Sequence, residues 1–335
     1  FYTSDGLSDD PRIANAEVTS FSTYDIGFSI GGALLRDRLW AFAAYDRGSA
    51  KSDIDIPGFG RYPDETTANM FAAKLTWQAA QQTNAMLSVF GDPTDRSIVA
   101  SPPIGGALNV DPLLQSGKSG GTNITLTSTS VLSDSIVVDA SIARYERKDD
   151  LQGATEIGRM EPRFEDLRVR TVSGGVGEIS HSDAARTSAK ISATWYSGRH
   201  ALKGGLEYED VSSATRASTT DPGKISQIDN ESFKTLFWDQ DTKVRNRVAT
   251  VFVQDSWLVS DRLRLNLGLR WDGQYFIGDN GELAQTITDE FQPRVGLVYE
   301  AGRPGTQKLF ASFGRFYQQM VLFSPILAYA RWNNW

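Results

Sequence analysis

Residues Val248 to Phe276 read VATVFVQDSWLVSDRLRLNLGLRWDGQYF, and their alternation decides the fold. Leu263, Leu265, Leu267, Leu269 and Trp271 fall on one side. Arg264, Asn266, Gly268, Arg270 and Asp272 fall on the other. A period of two marks a β-strand with one apolar and one polar face. The preceding run alternates less cleanly. Ala249, Val251, Val253, Trp257 and Val259 share a side that Asp255 interrupts, and Phe252 and Leu258 break the polar side held by Gln254 and Ser256. Ser260-Asp261 is a two-residue polar break, so the stretch is a hairpin. Each arm exceeds roughly ten residues, where globular strands average about five or six. Arms of that length, apolar on one side and polar on the other, fit a membrane barrel.

The same stretch resembles the mid-barrel hairpin of TonB-dependent outer-membrane receptors. The matching residues are Gln254, Asp255, Trp257, Leu263, Leu265, Leu267, Gly268, Arg270 and Asp272. The next hairpin is similar to that family too, from Gln292-Pro293-Arg294-Val295-Gly296-Leu297 to Phe310-Ala311-Ser312-Phe313-Gly314-Arg315-Phe316-Tyr317. Asp25 to Asp46, DIGFSIGGALLRDRLWAFAAYD, resembles an early hairpin of the Oar-like branch, in which a carboxypeptidase-regulatory-like module precedes the plug. The chain carries Gly31-Gly32-Ala33 where that branch has Gly-Gly-Pro.

Composition sets outer limits. The 335 residues contain no cysteine, which excludes disulfides and thiolate chemistry. A net charge of −7 argues against a nucleic-acid surface. Mean hydropathy is −0.33, and no run approaches the ~18 apolar residues of a membrane helix. A barrel has this composition as well, because only alternate residues of its strands meet lipid.

Along the chain, about a dozen strands alternate between short and long connections. Short breaks fall at 33–37, 79–82, 133–134, 197–199, 260–261 and 301–307. Long polar segments fall at 48–65, 91–121, 149–182, 212–243 and 278–290, and 149–182 has room for a short strand pair of its own. Outer-membrane barrels have short periplasmic turns and long outer loops, so the long segments read as extracellular. Trp40, Tyr45, Trp77, Trp195, Tyr196, Tyr208, Trp257 and Trp271 lie near strand ends, as girdle aromatics do. The expected fold is all-β: an antiparallel up-and-down meander forming a partial transmembrane barrel, about 12 of about 22 strands. Residues 1–335 are expected to form one barrel piece, with the plug, an opening strand and roughly nine closing strands outside the sequence. Such a piece has two unpaired edges and is not expected to insert alone.

Signals for other chemistries are thin. Gly117-Lys118-Ser119 resembles the end of a phosphate-binding loop, but Pro112 stands where that loop needs Gly. His181 and His200 are the only histidines on which zinc or a catalytic triad could depend, and each reads as a solvent-facing loop or turn residue. Asp149-Asp150 and Glu165-Asp166 could flank a glycosidic bond or hold calcium, yet nothing fixes their separation. Arg144, Arg147, Lys190, Lys203, Arg264 and Arg270 lie on or near polar strand faces. Those at mid-strand are expected to point into the lumen, either toward cargo or into cross-strand ion pairs.

No catalytic, cofactor or metal residue emerges from this reading, and the substrate-binding residues are unknown. The family resemblance implies an outer-membrane receptor that imports a bulky, scarce solute of the siderophore, cobalamin, glycan or peptide class. It implies outer-membrane lipid and an extracellular ligand as partners, and coupling through a plug to the TonB–ExbB–ExbD complex. Alternatives are a passive porin, or a surface-binding β protein such as an adhesin or scaffold. A soluble enzyme on a sandwich or propeller would need catalytic residues or a blade repeat.

Overall fold

A computed structural model describes residues 2–4, 20–221, 223–230, 232–303, 305–320, 322 and 333–334. Its strands begin with β1 (Tyr2–Ser4), β2 (Phe21–Leu35), β3 (Leu39–Ile56), β4 (Gly60–Ala80), β5 (Thr83–Gly91) and β6 (Thr94–Val99). β7 (Leu114–Ser133), β8 (Ile136–Gly153), β9 (Arg163–Asp166), β10 (Thr171–Gly174), β11 (Glu178–Ser197) and β12 (His200–Thr219) follow. The rest are β13 (Lys224–Gln227), β14 (Phe233–Leu236), β15 (Trp238–Ser260), β16 (Leu263–Ile277), β17 (Leu283–Ala301), β18 (Gln307–Gly314) and β19 (Asn333–Asn334). The one α-helix among the described residues, Glu156–Met160, is five residues long and capped by the Thr155 side chain.

Fifteen strands form one sheet, with the path β1-β2-β3-β4-β5-β7-β8-β11-β12-β15-β16-β17-β18. Pairing along this path is antiparallel throughout, so β2 to β18 form the expected meander of twelve strands. β5 and β6 share one lane between β4 and β7, interrupted at Asp92-Pro93. The Asp92 carboxylate accepts from the Gly121 amide at 2.7 Å and fixes the break. Gly120 is required beside it: its φ is +125°, and a Cβ would stand 2.5 Å from the Asp92 carbonyl oxygen.

The strands run well beyond the expected boundaries. β3 and β4 are separated only by residues 57–59, so 48–65 is a hairpin tip and not a long loop. The other long connections shrink to 100–113, 154–177, 220–237 and 278–282. Above a bilayer both strand faces meet water, so the ladder continues after the apolar alternation has stopped. The 149–182 segment does hold a strand pair, β9 with β10. With β13 and β14 these form a separate four-stranded sheet, in which β13 pairs parallel to β9.

Register assigns the two faces. Phe28, Tyr45, Phe71, Leu87, Leu126, Ile142, Ile191, Leu206, Val251, Leu267 and Val295 share the outer face. Many of them are about half exposed, for example Leu206 at 54% and Phe28 at 66%. A continuous apolar surface of this extent exceeds the few hundred Å² that soluble monomers leave bare, and it fits hydrocarbon as its solvent. Trp77, Trp195 and Trp257 lie on this face near the short turns, and Tyr45, Tyr208 and Trp271 lie on it further up. Trp40 and Tyr196 turn inward, because each is one residue out of step with the outer row of its strand.

The buried apolar cluster lies at the long-loop rim. Ile56, Val99, Leu113 and Val172 pack there with Phe59, Tyr62 and Val110. The outer connections therefore cohere around their own small core.

Candidate functional site

The inner face of the wall carries a dense polar network. Alternation on β16 sends Arg270, Asp272 and Gln274 inward, opposite the lipid-facing Leu269 and Trp271. Arg270 donates from Nη1 to Glu207 Oε2 at 2.8 Å, from Nε to Asp272 at 3.0 Å and from Nη2 to Thr250 Oγ1 at 3.1 Å. Lys190 pairs with the other oxygen of Glu207. Thr250 donates to Asp272 at 2.5 Å, and Gln292 Nε2 donates to the same carboxylate at 2.5 Å. One row higher, Asn246 donates to Gln274 Oε1 at 3.1 Å, and Gln274 donates to both oxygens of Glu290 at 3.1 Å. Thr250, Asp272, Gln274, Glu290 and Gln292 are buried, so their groups depend on one another for satisfaction.

The chain after β18 returns to this wall. The Met320 amide donates to Gln274 Oε1 at 3.2 Å, and Gln319 donates to Glu209 at 3.4 Å. Below the network Arg294 lies over the Phe316 ring at 4.7 Å, and Lys190 lies over Phe252 at 5.4 Å. Lys190, Glu207, Phe252, Gln254, Gly268, Arg270 and Arg294 line a crevice of about 200 Å³.

Most of the cations singled out from sequence sit in ion pairs. Lys190 and Arg270 meet Glu207, Lys203 meets Asp139 at 3.6 Å, and Arg147 meets Asp149 at 2.7 Å, all on the inner face. Arg264 also faces inward by register. Arg144 does not. It shares the outer row with Ile142 and bonds Glu146 at 2.8 Å and Thr187. The missed signal was its parity with Ile142.

The histidines are strand residues and not loop or turn residues. His181 lies between Asp150 and Asp183. His200 bonds Asp255 at 2.7 Å and stacks on Trp257 at 5.3 Å, on the outer face beside a short turn. Asp149 and Asp150 point to opposite faces of β8, so the two cannot flank one bond. Glu165 and Asp166 are likewise consecutive on β9. Burial pushes the Glu165 carboxyl up, but Arg163 and Lys224 outweigh it and hold the group below its ordinary range. Arg168 holds Asp166 down to about 2, against partial burial and with help from the Arg168 and Val169 amides. Lys118 lies in mid-strand and faces Asp95 at 3.8 Å, without the helix a phosphate loop requires. Among the described residues, no group of three or more His, Asp or Glu is placed to hold a metal.

A lipid-facing apolar band, a compensated polar inner wall and short turns at one rim define an outer-membrane barrel wall. The chain belongs to the outer membrane beta barrel domain family, whose model matches residues 58–286. It is 24% identical over 400 residues to the TonB-dependent transporter Oar of Myxococcus xanthus, covering 89% of this chain and 38% of that protein. The fold matches the outer membrane transporter YddB of Escherichia coli with a TM-score of 0.65 at 15% identity, over 90% of this chain and 39% of that one. It matches the ferric yersiniabactin uptake receptor FyuA of Yersinia pestis with a TM-score of 0.56 at 10% identity, over 85% of this chain and 43% of that one. The chain thus spans about two fifths of the relatives it matches.

Proposed function

We propose that this chain forms part of the wall of an active importer for a bulky, scarce solute such as a siderophore, cobalamin, glycan or peptide. The observation that carries the reading is the inner wall. Around Glu207 and Asp272 its charges are paired and its buried side chains hydrogen-bonded to one another, so this part of it is a stable surface for a lumen filled by protein and passing cargo. Similarity to the Oar transporter supports energy coupling by TonB–ExbB–ExbD through a plug domain. On this reading residues 1–335 supply about 12 of about 22 strands, and further strands close the sheet at β2 and β18. The relatives are transporters and receptors, which supports a role without catalysis.

The test is the complete reading frame followed by uptake. A plug of roughly a hundred residues before Phe1, together with loss of growth on one limiting nutrient in both the receptor deletion and a TonB deletion, supports gated import. A frame without a plug, or uptake unaffected by the TonB deletion, points to the passive porin instead.

A further inference from the structure

The outer face also carries a line of arginines where the apolar band ends. Arg144 pairs with Glu146 at 2.8 Å, and Arg245 and Arg247 share Asp210 at 3.3 and 3.4 Å. Arg47 is held differently. Register places it two residues above Tyr45 in the lipid-facing row that includes Phe28 and Ile26. Its Nε donates to the Tyr24 hydroxyl at 3.3 Å, and its Nη1 donates to Asn69 Oδ1 at 3.1 Å. The Tyr45 hydroxyl donates to the same Asn69 oxygen at 2.7 Å. These partners are neutral, so they fix the direction of the guanidinium and leave its charge uncompensated. Among the described residues Arg47 belongs to no ion pair, in a chain whose net charge is −7.

We propose that Arg47, positioned by Tyr24, Tyr45 and Asn69, binds the phosphate of a phosphorylated lipid headgroup in the outer leaflet. The fork of an arginine suits phosphate oxygens, and a cation at a membrane interface draws anionic headgroups. The position favours a lipid over a free anion. Ile26 stands directly across from Arg47 on the outer face and Phe28 lies one step below, which gives acyl chains an apolar surface beside the headgroup. Tyr24 and Tyr45 have the amphipathic character of interfacial aromatics.

The test uses the full-length receptor purified in neutral detergent and reconstituted with equal amounts of phosphatidylcholine and phosphatidic acid. Co-purifying lipid is then counted by native mass spectrometry. Wild type is expected to retain phosphatidic acid over phosphatidylcholine, Arg47→Gln to lose about fivefold of that preference, and Arg144→Gln to keep it. Millimolar inorganic phosphate is expected not to displace the lipid. If it does, the site takes free phosphate and the proposal fails. Should Arg47→Gln fail to refold, Tyr24→Phe, which keeps the charge and frees its direction, is expected to show a partial loss. Equal retention by wild type and the refolded variants overturns the proposal.

Discussion

Arg270 on β16 reaches over the whole width of β15 to place its guanidinium 2.8 Å from the Glu207 carboxylate on β12. The crossing ties three strands through side chains in addition to the ladder. Glu207 also holds Lys190, so it serves two cations while being only 20% exposed.

Glu207→Gln is therefore expected to destabilise the barrel by about 2 kcal/mol, since it leaves partly buried cations without their counter-charge. Glu207→Leu combined with Lys190→Met is expected to recover part of that loss, since Arg270 keeps Asp272 as its counter-charge. Urea unfolding of the refolded protein checks both; a double variant no better than the single one contradicts the pairing argument.

Val251 and Gln254 lie on opposite faces of β15. Val251→Arg places a charge among lipid chains and is expected to cost about 2–4 kcal/mol. Gln254→Arg points inward and is expected to cost less than about 1 kcal/mol. Equal losses in the same unfolding assay would reverse the assignment of faces.

Gly205 faces Phe252 across the β12–β15 pair. A Cβ there would stand 2.6 Å from the end of the Phe252 ring and 2.7 Å from the Ile191 carbonyl oxygen. The ring can swing aside but the carbonyl cannot, so Gly205→Ala is expected to lose about 1–3 kcal/mol even beside Phe252→Leu. Full rescue by Phe252→Leu would show that the ring alone sets the limit.

The rim sheet carries an acid-sensitive element. Arg168 holds the Asp166 carboxyl down to about 2 in the folded chain, against an ordinary 3.8. A depressed pKa contributes stability that is complete above the ordinary value and disappears as pH falls through the lowered one. Pepsin cleavage between 163 and 174 is thus expected to be low at pH 4 and to rise toward pH 2, with a smaller rise for Asp166→Asn, in which Glu165 alone still loses its ion pairs. Parallel profiles for the two proteins would remove Asp166 as the cause.

The meander is legible in the sequence wherever one face meets lipid, as Leu263 to Trp271 shows. Lipid on one side and protein or water on the other forces alternation, and alternation fixes register. Outside the bilayer that constraint ends. Pro57, Gly58 and Pro63 look like loop markers, yet β4 runs through Pro63. Pro63 lies above the Glu65–Ala68 stretch that β6 pairs, toward the hairpin tip, so the position tolerates the loss of an amide donor. The inner network was legible only as a list of inward residues. Glu207 and Arg270 are 63 positions apart and on strands that are not neighbours, a contact no local pattern encodes.

The parallel pairing of β13 with β9 has a consequence for the time course of folding. Arg163 meets Lys224 across the β11–β12 hairpin, whose open end brings Glu178 to Thr219. Until that hairpin has zipped along its length, closing the intervening chain carries an entropic penalty that a four-residue strand cannot offset. The rim sheet is then a late event, completed only after the wall beneath it is in register. Protection of amides 163–166 and 224–227 would date the maturation of this face of the barrel wall.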